Sequence, residues 1–394
     1  MKEDSINKCF KIAWVLYLLY LIEQPILSNR SIDIVVMIMI TLILFWAVIR
    51  NFNVFGFYDI MIFAIIGLLI ILSLLHTCEN ITIALLKSVF CFFVTYMLMF
   101  VASRSIINKS TFDFIFICTI FASILFVIYF FTPIAFVARN GNGERYISES
   151  FTCNFNNPNF TGMILFGLFG NLLINIKIRK HKPLILLLMA SLLFLICQTR
   201  SRACIVSTVM LIVFCLYFAL KNNGEARKVN KLIICITLII PILFIGIYLG
   251  LYYNGFQNVE ILNKSLFSGR ERTYVEYIDN IQDTLEFFIG NIAKTQFQNA
   301  HNGPLSIFTS IGVIGLILVY LMYAKNINCI NKGTWMSSIC VMCILGVFIH
   351  ASVEAAFLVG GTVSIMEMGS LFFLSSYTSV NGQIDNKVCG LANK

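Results

Sequence analysis

The sequence has little charge. Asp, Glu, Lys and Arg make up 12% of its 394 residues, whereas 59% of the residues are hydrophobic. Soluble domains carry about 25% charged residues, so a water-soluble fold is excluded. Apolar runs take up most of the length and leave no room for a separate soluble domain. We therefore expect a single polytopic membrane domain over residues 1–394.

The sequence also lacks the common cofactor motifs. It contains no His-Glu-x-x-His, no Asp-x-Asp and no Walker sequence, so neither a metal nor a nucleotide cofactor is indicated. The net charge of +9 does not indicate a nucleic-acid partner, because the basic residues lie singly in short loops. Most of the 13 cysteines lie inside apolar runs, where cysteine behaves as a small buried hydrophobe.

Twelve apolar runs have close to the length that a bilayer requires. They predict an all-α integral membrane protein with about 12 transmembrane helices. The runs cover 10–28, 32–49, 56–75, 81–101, 112–133, 158–176, 183–198, 203–220, 232–253, 304–323, 334–350 and 356–377.

The basic residues predict the orientation in the membrane. If both termini are cytoplasmic, about twice as many Lys and Arg residues fall in inside loops as in outside loops. Two extracytoplasmic loops are then long enough to cover a site, at 134–157 and at 254–303. Arg200 and Arg202 lie in a very short outside loop, which opposes the positive-inside rule. We therefore expect these two side chains to have a function.

The large loop at 254–303 contains a predicted helix. Ser268-Gly269-Arg270-Glu271 fits a capping box, and apolar residues follow at helical spacing up to Gly290, a natural helix end. This pattern predicts an amphipathic helix of about 20 residues on the membrane surface. Arg270 lies in its first turn, where free backbone N–H groups favour an anion, so a bound phosphate or carboxylate would explain an arginine there. A merely solvated arginine is the alternative.

Other residues near the ends of predicted spans can take part in chemistry. His301 lies just before the run that begins at Pro304, and imidazole is suited to general-base work near neutral pH. The alternative is an interfacial histidine that only forms hydrogen bonds. Glu354 follows His350 by four residues, so the two would share one helix face and could contact substrate. Further cationic candidates for substrate binding are Arg139, Arg145 and Arg272.

Four short stretches open predicted helices. They are Asn157-Pro158-Asn159, Thr199-Arg200-Ser201-Arg202-Ala203, Ser268-Gly269-Arg270, and His301-Asn302 followed by Leu305 and Gly312-x-x-Gly315. Taken in order, they resemble the O-antigen ligase and polymerase superfamily of bacterial envelope polysaccharide assembly. The resemblance covers residues 150–325. It implies a GT-C-like membrane glycosyltransferase that needs neither metal nor nucleotide sugar and uses a polyprenyl-diphosphate-linked glycan as donor.

The resemblance also implies roles for single residues. Arg200, Arg202 and Arg270 would bind the diphosphate, and His301 would be the base that accepts the proton of the acceptor hydroxyl. The chemistry agrees, because a diphosphate leaving group needs its developing charge neutralised and arginine matches phosphate oxygens. The chain departs from the common family pattern at Tyr274, where tryptophan is usual.

The expected function is therefore a polysaccharide repeat-unit polymerase for O-antigen, capsule or exopolysaccharide. It would transfer a growing glycan from undecaprenyl diphosphate to the next lipid-linked repeat unit, at the outer face of a bacterial inner membrane. One alternative is an O-antigen ligase that transfers finished glycan to lipid A core. Another is a transporter or flippase of lipid-linked oligosaccharide. The expected partners are the undecaprenyl-diphosphate-linked oligosaccharide, membrane lipids and a chain-length regulator.

Overall fold

The structure is a computed structural model of the chain. It describes residues 3–26, 30–77, 83–139, 145–155, 157–219, 223–256, 260–261, 264–265, 270–292, 301–332, 334–352, 354 and 366–377. The described residues form an all-α protein with two small antiparallel hairpins. This agrees with the predicted fold class.

Fourteen helices follow the apolar pattern of the sequence across the described residues. The first nine are α1 (Glu3–Ile26), α2 (Arg30–Arg50), α3 (Phe57–Thr77), α4 (Ile83–Arg104), α5 (Lys109–Phe130), α6 (Pro158–Asn175), α7 (Lys182–Gln198), α8 (Arg202–Ala219) and α9 (Asn223–Tyr253). The others are α10 (Arg270–Asp279), α11 (Thr284–Ile289), α12 (Gly303–Ile330), α13 (Trp335–His350) and α14 (366–377). One hairpin pairs β1 (Val137–Arg139) with β2 (Arg145–Ile147), and the other pairs β3 (Glu260–Ile261) with β4 (Lys264–Ser265).

Within the described residues, 6 helices are long and apolar enough to cross a membrane. They are Ser5–Ile26, Phe57–His76, Leu85–Arg104, Lys109–Phe130, Asn230–Tyr253 and Gly303–Ile330. Four apolar helices are shorter: Ile34–Arg50, Lys182–Gln198, Arg202–Tyr217 and Trp335–His350. The protein is therefore a membrane protein by the length and composition of its helices.

Long-range hydrogen bonds show how the helices run between two ends of the bundle. Asn7, near the start of α1, accepts from the backbone N–H of Asn108 at the start of α5 (3.0 Å). Near the other end of these helices, the Tyr129 hydroxyl donates to the carbonyl of Leu21 (3.3 Å). Helices α1 and α5 therefore run side by side in the same direction. We call the end that carries β1, β2, α10 and α11 the loop face, and the other end the opposite face.

Helix α6 lies in the centre of the bundle. Residues 161–175 are all buried, and small residues allow its neighbours to come close. A side chain at Gly167 would overlap the carboxylate of Glu367, and one at Gly170 would overlap Cys343. The Glu367 carboxylate accepts a hydrogen bond from the Tyr17 hydroxyl (2.8 Å), which satisfies one oxygen of this buried group. Helix α6 therefore packs closely against α13 and α14, and Glu367 links α14 to α1.

The predicted amphipathic helix of the large loop is two helices, so the single-helix prediction of about 20 residues is wrong. Helix α10 ends at Asp279 and α11 begins at Thr284. The side chain of Asp283 accepts from the backbone N–H of Glu286 (2.7 Å), and the Glu286 carboxylate accepts from that of Gln282 (2.6 Å). These local bonds start a new helix although the apolar spacing continues. The predicted helix end at Gly290 is confirmed, because this glycine has a φ of 78°.

Helix α11 packs on a kink in α12. The kink lies at Ile311 and Gly312, where Gly312 has a φ of 71°. A Cβ at Gly312 would overlap the backbone of Phe288, and one at Gly290 would overlap the backbone of Ser310 and Ile311. The backbone N–H of Asn291 donates to the carbonyl of Thr309 (2.7 Å). Two glycines in left-handed conformations thus permit direct contact between two backbones.

The Gly312→Ala variant tests this contact. We expect it to lower the free energy of unfolding by about 2 kcal/mol or more, because alanine is strained at positive φ and its Cβ meets backbone rather than a flexible side chain. Gly246→Ala is the matched control, since a Cβ at that helical position meets nothing within 4 Å. Thermal unfolding of both variants in detergent measures the difference. Equal midpoints for the two variants would contradict this packing.

Candidate functional site

Glu354 lies buried at the loop face, one helical turn beyond the end of α13. Its backbone N–H donates to the carbonyl of His350 (3.0 Å), so the two residues share a helix face as their spacing predicts. The Glu354 side chain is 5% exposed. Its Oε1 accepts from the side chain of Asn159 (2.7 Å) and from that of Asn157 (3.4 Å). These bonds offset part of the cost of burying a carboxylate.

The asparagines are held by the start of α6. Asn157 is the N-cap, with extended backbone, and its side-chain oxygen accepts from the backbone N–H of Asn159 (2.8 Å). Pro158 occupies the first helical position, where its missing N–H costs nothing. The cap therefore fixes both side-chain amides relative to the helix axis. Asn157 thus serves both as a helix cap and as a contact of Glu354.

Arg270 and His301 approach the same carboxylate from other elements. A terminal guanidinium nitrogen of Arg270, the first residue of α10, lies 3.9 Å from Oε1 of Glu354. Nδ1 of His301 lies 3.5 Å from Oε2. Arg270 and His301, which are far apart in the sequence, therefore meet Glu354 in one cluster. All three were predicted as site residues. We call Glu354, Arg270, His301, Asn157 and Asn159 the carboxylate cluster.

Arg270 also contacts aromatic and basic neighbours. It lies close enough to Tyr248 of α9 for its charge to act on the tyrosine hydroxyl, and so does Arg202. The Nε atom of Arg270 is buried and has no hydrogen-bond partner among the described residues. Part of the hydrogen-bonding capacity of this guanidinium is thus unused within the part of the chain that the structure describes. Arg202 is the first residue of α8, whereas the sequence placed it in the short loop before the run at 203–220.

His301 stands just before α12 in a left-handed backbone conformation, with a φ of 52°. Asn302 follows it and caps the helix, since its side-chain oxygen accepts from the backbone N–H of Leu305 (2.9 Å). The amide of Asn302 donates to the carbonyl of Pro241 (2.9 Å), which ties the cap to α9. The His301 side chain is 39% exposed. The imidazole therefore contacts the buried carboxylate on one side and is accessible on the other.

Tyr274 fastens α10 to both of these segments. Its hydroxyl donates to the carbonyls of His301 (3.0 Å) and Ser352 (3.0 Å), and its ring stacks on Tyr248 with centroids 4.9 Å apart. Burial, followed by the neighbouring Tyr248 hydroxyl, raises the pKa of Tyr274. The hydroxyl therefore keeps its proton and remains a donor. Tyr274 thus has a clear structural role.

The other predicted substrate-binding residues do not join the carboxylate cluster. Arg200 has a φ of 54° and an exposed side chain whose guanidinium binds Glu149 (2.7 Å). Arg272 is 80% exposed and pairs with Glu276 one helical turn away (3.1 Å). Arg145 is exposed and stands opposite Arg139 in the first hairpin. The side chain of Arg139 and the predicted N-cap Ser268 lie outside the part of the chain that the structure describes.

Three residues near the cluster were not predicted as site residues, and one of them, Glu271, was named only as part of a capping box. Asn159 had a signal, because it belongs to the Asn157-Pro158-Asn159 stretch. Tyr248 had none, since tyrosine near the end of a membrane span is ordinary. Glu271, next to Arg270, is 3% exposed and its Oε2 has no hydrogen-bond partner among the described residues. The burial of Glu271 could not be predicted, because it depends on the tertiary structure.

The cluster combines the groups needed for proton transfer and for anion binding. Glu354 lies 3.5 Å from one imidazole nitrogen without a hydrogen bond to it, and a closer approach would orient the ring so that the other nitrogen can accept a proton. A guanidinium next to it can neutralise a phosphate or another anion. Both groups lie at the end of the bundle, where a soluble or lipid-linked molecule can reach them.

No known protein family matches the chain, and neither a curated protein nor a solved structure shows detectable similarity to it. The resemblance to the O-antigen ligase and polymerase superfamily therefore stays a prediction from short motifs. What the structure adds is the spatial arrangement of the residues that carry it.

The Tyr274→Phe variant tests the attachment of α10. We expect it to destabilise the protein by about 1–3 kcal/mol, because two buried carbonyls lose a donor. Tyr277→Phe is the control on the same helix, since Tyr277 is half-buried and makes no hydrogen bond through its hydroxyl among the described residues. Thermal unfolding and limited proteolysis within 254–303 report the loss. Equal behaviour of the two variants would refute the role given to Tyr274.

Proposed function

We propose that this protein is a polysaccharide repeat-unit polymerase of a bacterial inner membrane. It transfers a growing glycan from undecaprenyl diphosphate to a lipid-linked repeat unit. The observation that carries the proposal is the meeting of Arg270, His301 and Glu354 at the loop face. These residues come from three separated segments, and two of the segments carry motifs that resemble the O-antigen ligase and polymerase superfamily.

In the proposed reaction the oxygen of an acceptor hydroxyl attacks the anomeric carbon of the donor sugar. The hydroxyl proton moves to Nε2 of His301, and the bond between the anomeric carbon and the diphosphate oxygen breaks with its electron pair leaving on the diphosphate. Arg270 neutralises the charge that develops on the leaving group. Glu354 lies beside Nδ1 of His301 and keeps Nε2 directed away from the carboxylate.

Arg202 and Arg200 extend the proposed anion site. Arg202 acts on the same tyrosine as Arg270, which supports a shared diphosphate contact. Arg200 is paired with Glu149, but both side chains are exposed, at 51% and 85%. Exposed ion pairs are weak, so a diphosphate can replace the glutamate. Arg272, Arg139 and Arg145 would contact the glycan or its carrier farther out.

We further propose about 12 membrane crossings, with both termini cytoplasmic. The support is that successive helices end at alternate faces. The end of α3 meets the loop helices, since His76 lies 3.3 Å from Asp283. The end of α4 meets the far end of α12, where Arg104 donates to Asn326 (2.9 Å). On this topology the loop face is extracytoplasmic.

Purified protein in liposomes tests the proposed activity. Given lipid-linked repeat units, it should lengthen them without an energy source. Arg270→Ala and His301→Ala should each lower chain growth by about 100-fold or more, because each removes a group that acts on the transition state. The amount of protein in the membrane should not change. Polyacrylamide gels of the labelled glycan measure chain length.

Two substitutions of the same kind serve as controls for this experiment. Arg50→Ala and His181→Ala change exposed residues at the opposite face and should leave chain growth intact. Full-length glycan from Arg270→Ala or His301→Ala would remove the role given to that residue. Transfer of finished glycan to lipid A core without elongation would indicate the ligase. Translocation without any transfer would indicate the transporter.

Glu354→Gln tests the positioning of His301 by the carboxylate. The amide keeps the size of the side chain and removes its charge, so we expect turnover to fall on the order of 10- to 100-fold with a smaller effect on acceptor KM. Glu276→Gln is the control, because Glu276 is 61% exposed. Thermal unfolding of both variants separates the catalytic effect from a folding effect. Unchanged turnover in Glu354→Gln would exclude the carboxylate from the mechanism.

A further inference from the structure

An open recess lies at the opposite face, between the first turns of α1 and α5. Its volume is about 660 Å³, and it is lined by Lys11, Lys109, Ser110, Asp113, Phe114 and Ile117. It is far from the carboxylate cluster, because α1 and α5 both begin at this face and run to the loop face. Neither the predicted motifs nor the proposed reaction uses these residues.

Hydrogen bonds hold the two walls of the recess in place. Asn7 accepts from the backbone N–H of Asn108 (3.0 Å) and donates to the carbonyl of Ile106 (3.2 Å). One turn farther along α1, the ammonium of Lys11 donates to the hydroxyl of Ser110 (2.8 Å). The start of α5 is therefore fixed against α1, and Lys11 is held at the level of the first turn of α5.

The recess has an excess of positive charge. Lys11 and Lys109 supply two cations, and the carboxylate that lines the recess, Asp113, is bound by Arg179 (2.6 Å). Asp113 is thus neutralised by a residue outside the lining. Lys109 is the first residue of α5, a position where the free backbone N–H groups favour an anion and disfavour a lysine. An anionic ligand would neutralise the excess positive charge and would also interact favourably with the free N–H groups at the start of α5.

An apolar surface continues from the recess into the membrane. Helix α5 exposes Ile117, Phe121, Ile124 and Ile128 at intervals of three or four residues, so they form one stripe. Helix α1, which packs against α5, exposes Ile12, Val15 and Leu19. Since Lys109 begins a candidate membrane span, the lysines lie at the depth of lipid headgroups and the stripe lies at the depth of acyl chains.

We infer that this recess binds one anionic phospholipid, with its phosphate between Lys11 and Lys109 and its acyl chains along α1 and α5. Basic recesses between membrane helices are suited to this class of ligand. The apolar stripe favours an intact lipid over a free phosphate, which would gain nothing from it. The site is independent of the proposed transferase activity.

Binding of phosphatidylglycerol to the purified full-length protein in detergent tests this inference. Native mass spectrometry counts the bound lipids, and thermal unfolding measures their effect. We expect phosphatidylglycerol to bind more tightly than phosphatidylcholine of the same chain length. The Lys11→Gln/Lys109→Gln variant should bind it roughly 10- to 30-fold more weakly, because each lysine near a membrane surface contributes about 1 kcal/mol.

The Lys180→Gln/Lys182→Gln variant is the matched control. These two lysines are exposed at the same face and their loss changes the net charge equally, so binding should stay as in the unmodified protein. If both double variants bound phosphatidylglycerol equally weakly, general charge attraction would explain the binding and the inference would be overturned. Equal binding of phosphatidylglycerol and phosphatidylcholine would also overturn it. The inference would also be overturned if glycerol phosphate raised the unfolding temperature of the protein as much as the lipid does. Lys109→Gln alone, which breaks no hydrogen bond of α1, gives a second variant if the double one misfolds.

Discussion

The arrangement of the loop face depends on the need to pair one buried carboxylate. An isolated carboxylate in the interior costs several kcal/mol, so Glu354 is stable only where donors and cations surround it. The asparagines at the start of α6, the first residue of α10 and the residue before α12 meet this need. One carboxylate thus fixes the relative positions of three helix ends. The groups that stabilise it are also those that can bind an anion and transfer a proton.

The loop helices are rigid enough to keep that geometry. Tyr274 bonds to two carbonyls beside the carboxylate cluster, and α11 packs backbone to backbone on the kink at Gly312. Ser73 of α3 adds a bond to the carbonyl of Gly290 (3.0 Å) and accepts from the N–H of Ile292 (2.8 Å). A surface helix that relied on the membrane alone could tilt or slide. Here hydrogen bonds hold α10 and close backbone packing holds α11. Together they set the position of Arg270.

The sequence predicts the helices well because the bilayer sets a length that apolar runs must match. Pro158 and Gly290 marked a helix start and a helix end through their own backbone restrictions. The break before Thr284 escaped prediction, because the capping bonds of Asp283 interrupt an apolar spacing that continues unbroken. Position and charge pointed to His301 and Arg270, and the structure places both residues beside Glu354. Tyr248 was not, since its role comes from α10 packing on α9, which no local pattern encodes.

The ion pairs differ between the two ends of the bundle. At the opposite face, Arg179 binds Asp113 and Lys325 binds Asp59, so each of these cations has its own carboxylate. At the loop face, Glu354 is shared between Arg270 and His301, and Arg202 stands nearby. Two buried carboxylates, Glu354 and Glu271, therefore lie close to the guanidinium groups of Arg270 and Arg202, where charges interact strongly. A guanidinium held against a buried carboxylate can exchange that contact for a ligand anion of the same charge, which is the property that the proposed diphosphate leaving group requires.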